Sequence, residues 1–419
     1  IDAASFFHLH EISKVKLSNK NKFSRFRTQS QNAFLKYSQP TPISKKSLDS
    51  FKSFLLLFNK KLYPLGAIGR LKLNHRFNNK ISQSITYLTP NDIISIFTLL
   101  EQFQQNFEIF DDIDNLKNKR VRSVGEILQL QFNVGLNRLR KIIAENLMLC
   151  NPDLLKPYRF INSKPILLSM KEFFASSQLS QYMDQTNPLA SLTHRRRLTG
   201  LGPGGLTGER LSVAVRDLHT SFSNRICPVE TPEGQNVGLL ASLATYTRVN
   251  EYGFLETPYF KVKNRTILKK SLPQYLTLFS EETLRIASAD TAINKRYQII
   301  KQEAPILINQ QFTLKPSKTI DIVAVSPFQL VSISTSLIPF FEHNDSNRTL
   351  MGANMQRQSV PLLYPNKPIV GTGLENQLAL DCGTVVLSKS DGIVAFVSTN
   401  QIRIKKKEKK QGNNFNQLI

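Results

Sequence analysis

The spacing of apolar residues changes character partway along this 419-residue chain, and that change restricts the fold more than any other feature. In the first half, apolar side chains recur at three- and four-residue intervals. TPNDIISIFTLLEQFQQNF from Thr89, VGEILQLQFNVGLNRLRKIIAENL from Val124 and PILLSMKEFFASSQLSQYM from Pro165 each gather them on one helical face. Three amphipathic helices are predicted there. After about residue 212 the runs become short, rich in Val, Ile, Leu and Tyr, and punctuated by Pro and Gly: NVGLLASLATYTRV, FLETPYFKVKN, TIDIVAVSP, LVSISTSLIPFF and TVVLSKSDGIVAFVSTNQIRI. These predict strands, with Asp391-Gly392 as a hairpin turn. Helices followed by strands, in a chain long enough for roughly two or three cores, predict an α+β, multi-domain fold.

Against 31 acidic residues stand 55 lysines and arginines, a formal net charge of +24. Such an excess points to a polyanionic partner, because clustered cations release counterions when they neutralise phosphates. No stretch approaches the roughly eighteen uninterrupted apolar residues of a membrane span. The three cysteines, Cys150, Cys227 and Cys382, are too dispersed for a zinc knuckle or a disulfide scaffold, which fits a reducing compartment. The first residue is Ile1 and no targeting pattern follows it, so the N-terminus reads as cut from something longer.

THRRRLTGLGPGGLTGERL, residues 193–211, contains a literal G-x-G-x-x-G at Gly200, Gly202 and Gly205. A dinucleotide fingerprint needs an apolar strand before the glycines and a helix after them. Here three arginines precede the glycines and Pro203 interrupts them, so no strand is expected and a cofactor loop is excluded. The absence of Lys-Ser/Thr after the last glycine excludes a P-loop. A basic segment entering a tight bend, followed by Arg210, Arg216 and Arg225, suits a nucleic-acid backbone, with glycine N–H groups and guanidinium forks both reaching phosphate.

FFASSQLSQYMDQTNPLASLTHRRRLTGLGPGGLTGERLSVAVRDLHTSFSNRICPVETPEGQNVGLLASLATYTRVNEYGFLETPYFKV, from Phe173 to Val262, closely resembles the fork region of the β subunit of bacterial-type multisubunit DNA-directed RNA polymerase. LYPLGAIGRLKLN (62–74), DDIDNLKNKRVRSVGEIL (111–128), FFEHNDSNRTLMGANMQRQSVPLL (340–363) and GTGLENQLALDCGTVV (371–386) resemble the same family in the same order. The resemblance implies a helix-rich lobe and protrusion part at 61–165, followed by β-rich fork (166–245), external (246–325) and initial hybrid-binding (326–404) regions. It leaves residues 1–60 as an unplaced, partly disordered lobe-side segment and 405–419 as a basic low-complexity end.

The family's reaction is templated nucleotidyl transfer from ribonucleoside triphosphates, assisted by Mg²⁺. The resemblance implies that Mg²⁺ is held by the β′ subunit, so no catalytic or metal-binding residue is assigned to this chain. DDID at 111–114 reads as capping or solvated charge. Arg348 and, secondarily, Arg357 match arginines that reach the incoming nucleotide, while Gln178, Gln181, Pro232, Glu233, Asn236 and Gln358 match positions along the RNA side of the hybrid. A rifamycin pocket is implied at Gln181, Tyr182, Asp184, His194, Arg197, Thr199, Leu201 and Leu240; Thr199 stands where Ser is typical and Tyr182 where Phe is. Gly208 stands where most bacterial relatives have Arg. His194 is assigned no acid–base role.

The implied partners are β′, an α dimer, a σ-type factor, DNA and nascent RNA, with no membrane. The Lys/Asn/Ile bias and Gly208 favour the chloroplast, with bacterial cytoplasm as the alternative. Family segments expected beyond Ile419 imply a partial sequence or a split subunit, inactive alone. The rival reading from another class is a non-catalytic basic nucleic-acid-binding protein.

Overall fold

The computed structural model describes residues 58–60, 62–105, 112–149, 161–206, 212–269, 271–308 and 311–406. It forms two compact units, Ile1–Asp111 and Asp112–Ile419. Expectations for residues 1–57, Gly208, Arg210 and the basic end from 407 lie outside the described residues.

In the first unit, α1 (Gly66–Phe77) and α2 (Pro90–Gln104) are the described helices. The start of α2 follows from its sequence: Thr89 is extended, Pro90 opens the first turn, and the Asp92 carboxylate accepts from the Thr89 backbone N–H and hydroxyl, both at 2.8 Å. The same carboxylate oxygen meets Nη1 of Arg70, on α1, at 2.7 Å, with both side chains fully buried. Arg70 also donates to the carbonyls of Ile85 and Tyr87. A charge pair closed off from water in this way costs about 3–5 kcal/mol to break by removing one member.

The second unit begins with α3 (Val124–Leu149) and α4 (Lys164–Ser176), which pack on each other. A Cβ on Gly135 would stand 2.8 Å from the Ile166 Cα, so glycine is what lets α4 approach α3 so closely. The third predicted helix stops at Ser176 rather than Met183. Ser177 is extended, and the hydroxyls of Ser176 and Ser180 donate to the carbonyls of Glu172 and Phe174, replacing further helical N–H donors. Next come α5 (Pro188–Arg195) and a two-stranded antiparallel pair, β1 (Arg197–Thr199) with β2 (Leu240–Ser242).

The strand-rich part is an eight-stranded sheet. Its members are β3 (Arg248–Val249), β4 (Leu255–Lys263), β5 (Thr266–Ile267), β6 (Gln274–Thr277), β7 (Ile286–Ala287), β8 (Glu303–Ile308), β9 (Gln311–Pro316) and β10 (Ile322–Ala324), with the short helix α6 (Leu278–Glu281) after β6. The path runs β3-β4-β10-β7-β8-β9, with β5 and β6 also on β4; β10 and β7 are parallel and the other pairs antiparallel. The two-residue period divides the apolar side chains between the faces. Tyr259, Ile286 and Ile322 join one buried cluster, while their neighbours Ala287 and Val323 join the other. The edge strand β9 is exposed throughout and ends in Lys315-Pro316, residues that discourage further strand addition.

Beyond the sheet lie α7 (Ile333–Ser336), α8 (Ser346–Gln356), α9 (Glu375–Asp381) and a hairpin of β11 (Gly392–Val397) with β12 (Ile402–Lys406). The α+β, multi-domain expectation stands, but the fork and the initial hybrid-binding region are not β-rich; the sheet is confined to 248–324. LVSISTSLIPFF alternates like a strand yet contains α7, because the Ser332 hydroxyl accepts the Thr335 N–H and caps a helical turn. The hairpin turns at Ser398–Gln401, not at Asp391-Gly392. Gly392 opens β11, where a Cβ would come within 2.5 Å of Ile404 on β12.

Candidate nucleic-acid interface

The glycine bend is built for tightness. Gly202 and Gly204 have φ of +106° and +75°, and a Cβ on Gly205 would stand 2.5 Å from the Gly200 carbonyl oxygen. Four of its backbone donors are used within the protein: Gly200 N–H on Leu239 O, Leu201 N–H on the Thr199 hydroxyl, Gly205 N–H on Gly202 O and Leu206 N–H on Gly200 O. Arg122 donates to the Pro203 carbonyl across the bend. The turn is thus partly self-bonded, with the N–H groups of Gly202 and Gly204 making no hydrogen bond among the described residues. A three-residue strand, β1, does precede the glycines, against the expectation of none, and a single 3-10 turn, Val213–Arg216, is the first described element after them.

The three arginines divide. Arg196 turns inward, its Nη2 donating to Ala244 O at 2.6 Å and lying 3.3 and 3.4 Å from the carbonyls of Thr245 and Thr247. Arg195 and Arg197 remain exposed. The exposed cations of the triplet thus stand at alternate positions.

Around α5 the structure joins Gln178, Gln181, Asp184 and His194. Nδ1 of His194 accepts the Asp184 N–H at 3.0 Å, so the ring is neutral there and carries its proton on Nε2, which lies 3.1 Å from Gln181 Oε1. The Gln181 amide in turn donates to the Gln178 carbonyl. Burial, with the Arg197 charge added, holds the His194 pKa below its ordinary value. The side-chain and backbone hydrogen bonds of Thr186 hold the Asp184 carboxyl below the usual range. Thr199 and Leu240 face each other across β1–β2, and Leu201 follows at the bend. Tyr182 is fully exposed, away from this network.

Pro232, Glu233 and Asn236 occupy one loop, closed by the Thr231 hydroxyl, which donates to Leu240 O and accepts the Gly238 N–H. Glu233 and Asn236 are exposed, as is Gln358. Arg348 projects into solvent from the first turn of α8, 3.9 Å from Met351 sulfur, without an ion pair among the described residues. Arg357 differs: it meets Glu230 at 3.3 Å and donates to Asn354. Glu230 is 2% exposed, and Arg197 and Asp184 lie within electrostatic reach of the same cluster. Sequence reasoning missed Glu230, Asn187 and Asn354. The pair Asn187-Pro188 is a legible helix start, but the partners of its amide are remote in sequence.

Two of the aspartates of the acidic turn are held in ion pairs. Asp112 is bound to His219 at 2.6 Å and Asp114 to Lys119 at 2.7 Å, and the described residues contain no metal-ligating group of three. The donor set of the described residues therefore does not fit a Mg²⁺ centre. A cavity of about 290 Å³ under α7, lined by Phe328, Leu330, Ile338 and Phe341 among others, includes none of the predicted contact residues. No helix among the described residues is long and apolar enough to cross a membrane.

A basic α+β chain presenting exposed amides and arginines has the surface character of a nucleic-acid-binding protein. Residues 9–122 match the family described as RNA polymerase Rpb2, domain 2, and residues 181–249 match RNA polymerase Rpb2, domain 3. The first match enters the segment 1–60 that the motif resemblance left unplaced. DNA-directed RNA polymerase subunit beta of Thermosynechococcus vestitus is 53% identical over 348 residues, 83% of this chain and 31% of that protein. The subunit beta of Rhodomonas salina is 51% identical over 354 residues, 84% of this chain and 32% of its own length. That of Pyropia yezoensis is 46% identical over 407 residues, 96% of this chain and 35% of its own. The chain belongs to the DNA-directed RNA polymerase β-subunit family. It spans about a third of the length of these curated relatives.

Proposed function

We propose that this chain acts within a DNA-directed RNA polymerase, as part of the β subunit, to position the RNA–DNA hybrid and the incoming ribonucleoside triphosphate. Residues 61–165 supply lobe and protrusion, 166–245 the fork, 246–325 the external region and 326–404 the start of the hybrid-binding region. Its partners are β′, an α dimer, a σ-type factor, DNA and nascent RNA. Mg²⁺ would be held by β′. The algal and cyanobacterial relatives support a chloroplast or bacterial setting, and Gly208 with the Lys/Asn/Ile bias favours the chloroplast.

The carrying observation is the exposed guanidinium of Arg348, which has no ion pair among the described residues, on a helix whose last residue is bonded to Asn187. A free fork of donors can take triphosphate oxygens and offset charge developing on pyrophosphate. Gln178, Gln181, Pro232, Glu233, Asn236 and Gln358 offer polar and backbone-sized contacts that do not read base identity, as templated synthesis requires. The test is Arg348→Ala in a polymerase reconstituted with complete β sequence. A raised nucleotide KM or lowered kcat with nearly unchanged duplex binding is expected; unaltered nucleotide addition overturns the assignment.

A further inference from the structure

α5, which carries His194, and α8, which carries Arg348, are linked through the side chain of Asn187. Oδ1 of Asn187 accepts the Ala190 N–H at 2.7 Å and caps the start of α5. Nδ2 of the same amide donates into the carbonyls at the end of α8: Gln356 at 3.1 Å, Arg357 at 3.2 Å and Ser359 at 2.8 Å. A helix N-terminus leaves N–H groups unpaired and a C-terminus leaves carbonyls unpaired. An amide presents one acceptor and one pair of donors, so it satisfies both ends at once. Serine, threonine and aspartate cap equally well but lack the second function.

Two further ties cross the same seam. Arg357 meets the buried Glu230, both of whose carboxylate oxygens have no hydrogen-bond donor among the described residues, and Asn354 lies 3.4 Å from Thr231 O. All three ties fall within the last turn of α8 or just after it. Arg348 lies nine residues before Arg357, roughly 13 Å along the helix. These ties hold the end of α8, while the buried Thr349 and Ala353 seat its middle against α7, so together they set where the guanidinium stands.

We propose that Asn187 is a positioning residue for nucleotide binding: its amide fixes the pose of α8 against the fork and so aims Arg348. This rests on the nucleotide role proposed for Arg348. Asn187→Asp keeps the α5 cap and exchanges the donor for a carboxylate facing three carbonyls; Asn187→Ser keeps the cap and removes the donor without adding charge.

In a polymerase reconstituted with complete β sequence, both variants assemble, and Asn187→Ser, which adds no charge against the carbonyls, loses less melting temperature than Asn187→Asp. Nucleotide kcat/KM falls about tenfold, mainly through KM, as expected when a binding group is misplaced by a fraction of an ångström. Combined with Arg348→Ala, neither variant lowers kcat/KM further, because both act through one guanidinium. Parent-like kcat/KM in both single variants, or losses that multiply with that of Arg348→Ala, overturns the inference while leaving Arg348 in place. A silent Arg348→Ala instead removes the nucleotide role itself, and the positioning role with it.

Discussion

The imidazole of His194 accepts the backbone N–H of Asp184 at 3.0 Å, across a ten-residue separation in sequence. That bond closes the segment before α5 onto the end of α5. It requires an unprotonated Nδ1, so the ring works as a structural acceptor and its tautomer is set by the amide of Gln181 on its other side.

Acidification should open this closure. Burial and the Arg197 charge lower the His194 pKa in the folded chain, so between the two pKa values the unfolded segment binds more protons than the folded one. The stabilisation is complete above the unfolded value of about 6.5 and is lost as pH falls from there towards the lowered folded value. Hydrogen exchange at the Asp184 amide, corrected for intrinsic rate, should show lower protection at acidic pH. Equal protection on both sides of the window would contradict the bond.

Gly238 should resist any side chain. Its φ is +74° and a Cβ would collide with the Arg216 carbonyl, while Arg216 itself donates to the carbonyls of Gln235 and Val237. Gly238→Ala should destabilise by about 1–3 kcal/mol. Gly234→Ala, strained at φ +97° but with nothing within 4 Å, should cost less. Denaturant midpoints of the two variants decide the order.

How much of this was legible beforehand depended on the range of the interactions. The start of α2 was readable because Thr89, Pro90 and Asp92 signal it locally, and β4 because Leu255, Tyr259, Phe260 and Val262 form a short strand-like run after the Gly253 turn. The inward turn of Arg196 was not, since its three acceptors lie near residue 245 and identical neighbours on either side face solvent. LVSISTSLIPFF misled because small hydroxyl residues mimic strand alternation while capping a helical turn. At the interface, single residues were placed by resemblance; the amide of Asn187 and the carboxylate of Glu230 escaped because their partners are more than 100 residues away.

The arginine triplet should separate by assay. Arg195→Ala and Arg197→Ala remove exposed cations and should weaken nucleic-acid binding, each lowering the slope of log affinity against log salt by about 1 if it contacts phosphate. Arg196→Ala removes carbonyl ties and should lower the melting temperature while leaving the salt slope unchanged. A salt-slope change in Arg196→Ala, measured by fluorescence anisotropy on a DNA–RNA hybrid, would show that it also reaches phosphate.

The segment between β1 and β2 is joined to the sheet by Arg225, and its loss should be among the most damaging in the chain. Arg225 is 1% exposed and Glu281 7%, and the two meet in a paired fork at 2.9 and 2.5 Å. The guanidinium also donates to Leu255 O on β4 and Leu276 O on β6, so one side chain ties three segments. Arg225→Met leaves a buried carboxylate without its partner and should cost about 3–5 kcal/mol, whereas Arg225→Met with Glu281→Leu should recover much of that loss by removing the stranded charge. Because the carbonyls of Leu255 and Leu276 lose their donor in either case, recovery should be incomplete. Thermal unfolding of the single and double variants measures both steps. A double variant no more stable than Arg225→Met would show that the backbone ties, rather than the ion pair, hold that segment to the sheet.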